Sequence, residues 1–146
     1  MQKIIDCCVY NGEKELFEIR YNILRDYVDE FIIVEFDKTF SGQPKPWRFI
    51  EDFTEHSFPE VYYHRIVEKY YTKYKELAES SPNTKGAEHW KREFMQKESI
   101  KDALAIHHLN DNDIVFIGDC DEIWNPEFKW EAWFGTPLKL KLDVYT

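Results

Sequence analysis

The tightest constraint on this chain is a change of hydrophobic period between its first two apolar runs. Ile4-Ile5-Asp6-Cys7-Cys8-Val9-Tyr10 is short and mostly apolar, and Asn11-Gly12 closes it. Such a run, ended by turn residues, reads as a strand. Glu13 to Val28 then follows a helical period, which predicts Leu16, Ile19, Ile23, Leu24 and Tyr27 on one apolar face. Phe31-Ile32-Ile33-Val34 is apolar throughout, as in a strand covered on both faces. Strand, helix and strand within about 35 residues make a βαβ unit, which implies parallel pairing and a right-handed crossover.

The pattern continues along the chain. Asp37 to Pro59 carries Ser41-Gly42, Pro44, Pro46 and Pro59 and is predicted to be mostly loop. Val61 to Val67 reads as a third strand, Glu68 to Glu79 as a polar helix, and Ser80 to Gly86 as a turn-rich break. A long helix is predicted from Ala87 to about Leu109, with Trp90, Phe94, Ile100 and Leu104 on one stripe. Asp113 to Gly118 is a fourth apolar strand. Leu138, Leu140, Leu142 and Val144 alternate with polar residues at period two, and Thr146 falls inside that pattern. A fragment of a longer domain is expected, with a short final edge strand as the alternative.

At 146 residues the chain fits one domain, and 43% hydrophobic with 17% aromatic residues suffices for a core. A net charge of −9 argues against a nucleic-acid partner, since phosphate backbones attract basic surfaces. It is compatible with a nucleoside diphosphate if a divalent cation lies between carboxylates and phosphates. Neighbouring Cys7 and Cys8 should point to opposite faces of their strand, no Cys-x-x-Cys occurs, and buried reduced thiols are expected. Lys3-Ile4-Ile5-Asp6 meets an acid before any long apolar run, and no stretch approaches the roughly 20 apolar residues of a membrane span. A cytoplasmic chain is expected, with peripheral membrane association left open.

Asp119-Cys120-Asp121-Glu122 directly follows the fourth strand. In a parallel α/β sheet, ligands bind beyond the carboxyl ends of the strands. If the backbone stays extended there, Asp119 and Asp121 point to the same side, and two close carboxylates call for a cation between them. Mg²⁺ or Mn²⁺ suits such hard oxygen ligands. The motif is weak alone: with 11 aspartates in 146 positions, chance supplies about one Asp-x-Asp. Asp111-Asn112-Asp113 is a second instance, but it precedes the strand and reads as a solvated turn.

Four blocks in order make the chain resemble glycosyltransferase family 17. They are Lys3-Ile4-Ile5-Asp6-Cys7 with Leu16-Phe17-Glu18-Ile19-Arg20-Tyr21-Asn22; Val28 to Glu35 with Lys38-Thr39-Phe40-Ser41-Gly42 and Lys45-Pro46; Trp90-Lys91-Arg92-Glu93 with Gln96; and Asp113 to Ile123 with Asn125-Pro126. Trp124 departs from the proline usual in the family, which puts the turn behind the metal site in question, and Gly12 stands where Asn is usual. The resemblance implies a GT-A-like, Rossmann-type, mostly parallel sheet flanked by helices. It also implies a UDP-sugar donor, a glycan or glycoprotein acceptor, a divalent metal (Mn²⁺ or Mg²⁺) held through the Asp-x-Asp, and inversion at the sugar carbon. Asp121 is then the expected direct metal ligand, with Asp119 on the metal or the ribose and Glu122 supporting the loop. The general base is expected beyond this region and is not assigned.

Other residues carry paired readings. Glu35, at the end of the second strand, could recognise the uridine or cap a loop. Arg20 falls inside the apolar face, where a buried guanidinium needs a carboxylate or a phosphate; a structural ion pair is favoured over direct donor binding. Arg92 and Glu93 could line the donor site or pair at the surface. Lys45 could meet the diphosphate or be solvated. His64 and the adjacent pair His107-His108 are given no metal role. Among the tryptophans, Trp124 is singled out as a sugar-stacking candidate. Two rival functions remain: a nucleotide-sugar-binding chain without turnover, and a metal-dependent phosphohydrolase, for which Asp6 lacks a well-placed second acid.

Overall fold

The computed structural model describes residues 2–54, 58–71 and 88–127. Strand β1 (Ile4–Val9) leads into helix α1 (Lys14–Leu24), strand β2 (Glu30–Phe36), a short helix α2 (Arg48–Asp52) and strand β3 (Val61–Ile66). A 3-10 turn (Glu68–Tyr70) follows; helix α3 (Glu88–Ile106) and strand β4 (Ile114–Ile117) complete the described elements. The sheet order is β3-β2-β1-β4, and every pairing is parallel. The parallel pairing is what the alternating periods predict, and the Rossmann-like arrangement is what the family resemblance implies.

Alternation along the strands builds two cores. Cys8, Phe31, Ile33 and Phe116 face α1 and α2, where Phe17, Tyr21, Leu24, Phe49 and Phe53 pack. Ile5, Cys7, Val9, Ile32, Val34 and Phe36 face the other way, against Met95, Ile100 and Ala103 of α3. Cys7 and Cys8 do lie on opposite faces, and all three cysteines are free and buried.

Several expectations are corrected. On α1 the buried face is Phe17, Arg20, Tyr21 and Leu24, whereas Leu16, Ile19, Ile23 and Tyr27 are substantially exposed. Both sets have helical spacing and lie side by side on the wheel. The aromatic rings bury more area, and Arg20 meets a buried acid on that side, so this face wins. On α3, Phe94 is 53% exposed, while Met95, Gln96, Ser99, Ile100 and Ala103 face the sheet. Small Ser99 and Ala103 let the helix approach closely, and Gln96 donates to the Lys38 carbonyl at 3.1 Å, a role that apolar periodicity hides. The fourth strand is not a covered one: among the described residues β4 is the sheet's edge, and Ile117 is 54% exposed. The loop after β2 contains α2, and only a 3-10 turn stands where the described part of the 68–79 helix was expected. The remainder of that helix and the period-two segment at 138–145 lie outside the described residues. Among the described residues, no helix is long and apolar enough to cross a membrane.

Candidate active site

In this strand order the chain steps from β1 outward to β2 and β3 on one side and to β4 on the other. The carboxyl ends of β1 and β4 therefore flank the topological switch point, where crevices open in such sheets. A cleft of about 230 Å³ lies there, lined by Asn11 and Glu13 after β1, Phe40 of the loop after β2, Glu93 of α3, and Asp119 and Asp121 after β4.

The acidic motif is folded as a turn and does not run on extended, which corrects the expectation of its backbone. Glu122 N–H donates to the Asp119 carbonyl at 2.9 Å, and Asp119 N–H donates to the Glu122 carboxylate at 2.8 Å. The turn still brings the side chains together: carboxylate oxygens of Asp119, Asp121 and Glu122 all lie within 4.8 Å of one another. Three hard oxygen donors at that spacing fit Mg²⁺ or Mn²⁺ after small side-chain rotations, and such ions keep several positions for water or phosphate. Asp119 is half-exposed, and its carboxylate lies 3.3 Å from Lys97 Nζ.

A buried ion pair holds the turn from behind. Asp6 on β1 is fully buried and accepts from Arg20 Nε and Nη2, each at 2.7 Å. Arg20 Nη1 donates to the carbonyls of Asp119 at 2.9 Å and Glu122 at 2.5 Å. Burial opposes the charge of Arg20, but Asp6 overrides it and holds the guanidinium above its ordinary pKa. Trp124 completes the cluster: its indole N–H donates to Asp6 at 2.9 Å, and its ring stacks on Phe116 at 3.8 Å. Trp124 is 3% exposed, so it is a core residue and not a sugar platform. The Cys120 thiol points inward, 3.4 Å from the Cys8 sulfur.

The family model of glycosyltransferase family 17 matches residues 1–145. The chain belongs to glycosyltransferase family 17. This family 17 chain is 27% identical over 126 residues to the human β-1,4-mannosyl-glycoprotein 4-β-N-acetylglucosaminyltransferase, an alignment covering 84% of the chain and 22% of the relative. The rat protein of the same name matches equally well, and the mouse protein is 26% identical over the same shares. The chain thus spans about a fifth of the length of these curated relatives. No solved structure matches it.

Within the family 17 chain, the residues singled out from sequence separate into two groups. Asp119 and Asp121 line the cleft. Arg20 lies behind it, with Asp6 and two carbonyls as partners, which is the structural ion pair favoured from sequence. Glu35 is fully buried and accepts from Arg48 N–H (2.7 Å), Phe49 N–H (3.0 Å), the Tyr63 hydroxyl (2.7 Å) and Lys45. It anchors the loop that carries Phe40 to the cleft. Lys45 is 9% exposed in that pair, so it is neither solvated nor aimed at the cleft. Arg92 pairs with Glu68 at 3.0 Å and packs under Gly42 (φ +88°), where a Cβ would approach its guanidinium to 2.7 Å. Gly12 also has positive φ, +94°, which explains how a glycine serves at a position that is usually Asn in the family. Glu93 lines the cleft, which is the donor-site placement weighed for it against surface pairing. Asn11 lines it too, although its sequence signal is only that of a turn residue. Lys97 carries no signal in the sequence, and only the packing of α3 against the sheet brings it to the turn.

Proposed function

We propose that this chain forms the donor-binding part of a metal-dependent glycosyltransferase. It would transfer a sugar, GlcNAc by analogy with its N-acetylglucosaminyltransferase relatives, from a UDP-sugar to a glycan hydroxyl with inversion. The observation that carries the reading is the convergence of three carboxylates beside the switch-point cleft of a family 17 chain. Asp121 and Asp119 would hold Mn²⁺ or Mg²⁺, with Glu122 closing the turn. A bound divalent ion supplies positive charge against the departing diphosphate. Arg20 fixes the carbonyl side of the turn, so that the carboxylates are presented at little further entropic cost. Inversion requires a base within hydrogen-bond reach of the acceptor hydroxyl; we leave that group unassigned. A phosphohydrolase using Asp6 is disfavoured, because its carboxylate is fully buried against Arg20 and Trp124.

Calorimetric titration of UDP, with and without Mn²⁺, tests the reading on wild type and Asp121→Ala. Metal-dependent binding that weakens at least tenfold in the variant is expected, because a direct ligand is lost. Binding that ignores Mn²⁺, or an unchanged affinity in Asp121→Ala, would overturn it.

A further inference from the structure

The cleft carries much more negative than positive charge. Glu13, Glu93, Asp119 and Asp121 line it, no lysine or arginine is among its lining residues within the described part of the chain, and Arg20 is committed behind the turn. A nearby cation among the described residues is Lys97 on α3. Its ammonium lies 3.0 Å from the Glu93 carboxylate one helical turn back, and 3.3 Å from Asp119 across the cleft edge. The side chain is 40% exposed, so it is not wedged in a core and can swing on its flexible stem. The ammonium sits on an acid that a divalent ion would also claim, so the two cations compete for Asp119.

We propose that Lys97 is the second cation of the donor site: it neutralises Asp119 while the metal is absent, and binds the diphosphate of the nucleotide when the metal takes Asp119. The inference rests on the donor-site reading above. A diphosphate brings additional negative charge into a cleft whose carboxylates outnumber one divalent ion. A lysine released at the edge supplies a charge-assisted hydrogen bond to a phosphate oxygen. Glu93, one turn away, holds the ammonium at 3.0 Å and so keeps it near the cleft edge. The two roles make opposite demands. Removing Lys97 should help the metal bind alone and harm the nucleotide, a combination that a purely structural lysine does not produce.

The test uses Lys97→Met and Lys97→Gln in the full chain at pH 7, with Mn²⁺ alone followed by electron paramagnetic resonance and nucleotides by calorimetry. Both variants should bind Mn²⁺ alone several-fold more tightly than wild type. At saturating Mn²⁺ they should bind UDP about tenfold more weakly, the size of one charge-assisted hydrogen bond, and UMP with a smaller loss. Lys97→Gln serves as a polar check should Met disturb the helix surface. UDP affinity within twofold of wild type, or weaker binding of Mn²⁺ alone, would overturn the role of Lys97 and leave the donor site standing. Failure of the wild type to bind UDP with Mn²⁺ would remove both.

Discussion

Single residues decide how the acidic turn is held. Asp6 and Arg20 form a buried pair in which each group depends on the other, because an uncompensated buried charge is far more costly than a missing pair. Arg20→Met should therefore destabilise the chain by about 3–5 kcal/mol, measured by urea denaturation. The double change Asp6→Leu with Arg20→Met should regain part of that loss, since well-packed apolar groups can replace a buried ion pair. It should not regain Mn²⁺ affinity, because the carbonyls of Asp119 and Glu122 lose their shared donor. Full recovery of metal binding in the double variant would show that Arg20 is not needed to shape the turn. Arg20 stood out in the sequence as a charge within an apolar face. Its partner did not: Asp6 lies 14 residues earlier, on a strand whose pairing and facing only the fold defines.

At the scale of elements, strands were read more accurately than helix faces. The four apolar runs became four parallel strands close to the expected limits, because a short apolar run between turn residues admits few other structures. Helix faces were harder, since neighbouring stripes with the same spacing compete. On α1 the chosen stripe was displaced toward Ile19 and Ile23, which are 49% and 44% exposed, while Phe17 and Leu24 are fully buried. Truncation distinguishes the two faces. Leu24→Ala should cost about 2–5 kcal/mol, the range for a buried leucine. Ile23→Ala should cost under about 1 kcal/mol, as for a largely exposed site. Equal losses in thermal or urea unfolding would contradict the assigned face. On α3 the buried Gln96 and Ser99 break the apolar pattern, which hides that Lys97 between them reaches the edge of the cleft.

For the whole molecule, the parallel sheet joins distant parts of the chain on both sides. Beyond the C-terminal end of α3, His64 of β3 and His107 meet at 2.9 Å between their Nε2 atoms. Glu30 lies 3.9 Å from His107, and Lys3 pairs with Glu30. Burial and the neighbouring His107 hold His64 below the ordinary histidine pKa of 6.5. The unfolded chain therefore binds a proton more readily at this position, and stability present above about pH 6.5 is lost as the pH falls toward the folded value. Urea midpoints should decline between pH 7 and pH 5, and His64→Gln should flatten that decline; an unchanged slope would exclude His64 as the cause. The sequence alone determined the α/β class, the four parallel strands and the acid cluster after the fourth, because apolar period and turn residues act locally. Its family blocks determined the membership. Tertiary structure decided the rest: which face each helix buries, that Asp6 and Arg20 brace the turn, and that Lys97 reaches Asp119. Those relations depend on the order β3-β2-β1-β4 and on helix packing, which join residues up to about a hundred positions apart and which no local pattern encodes.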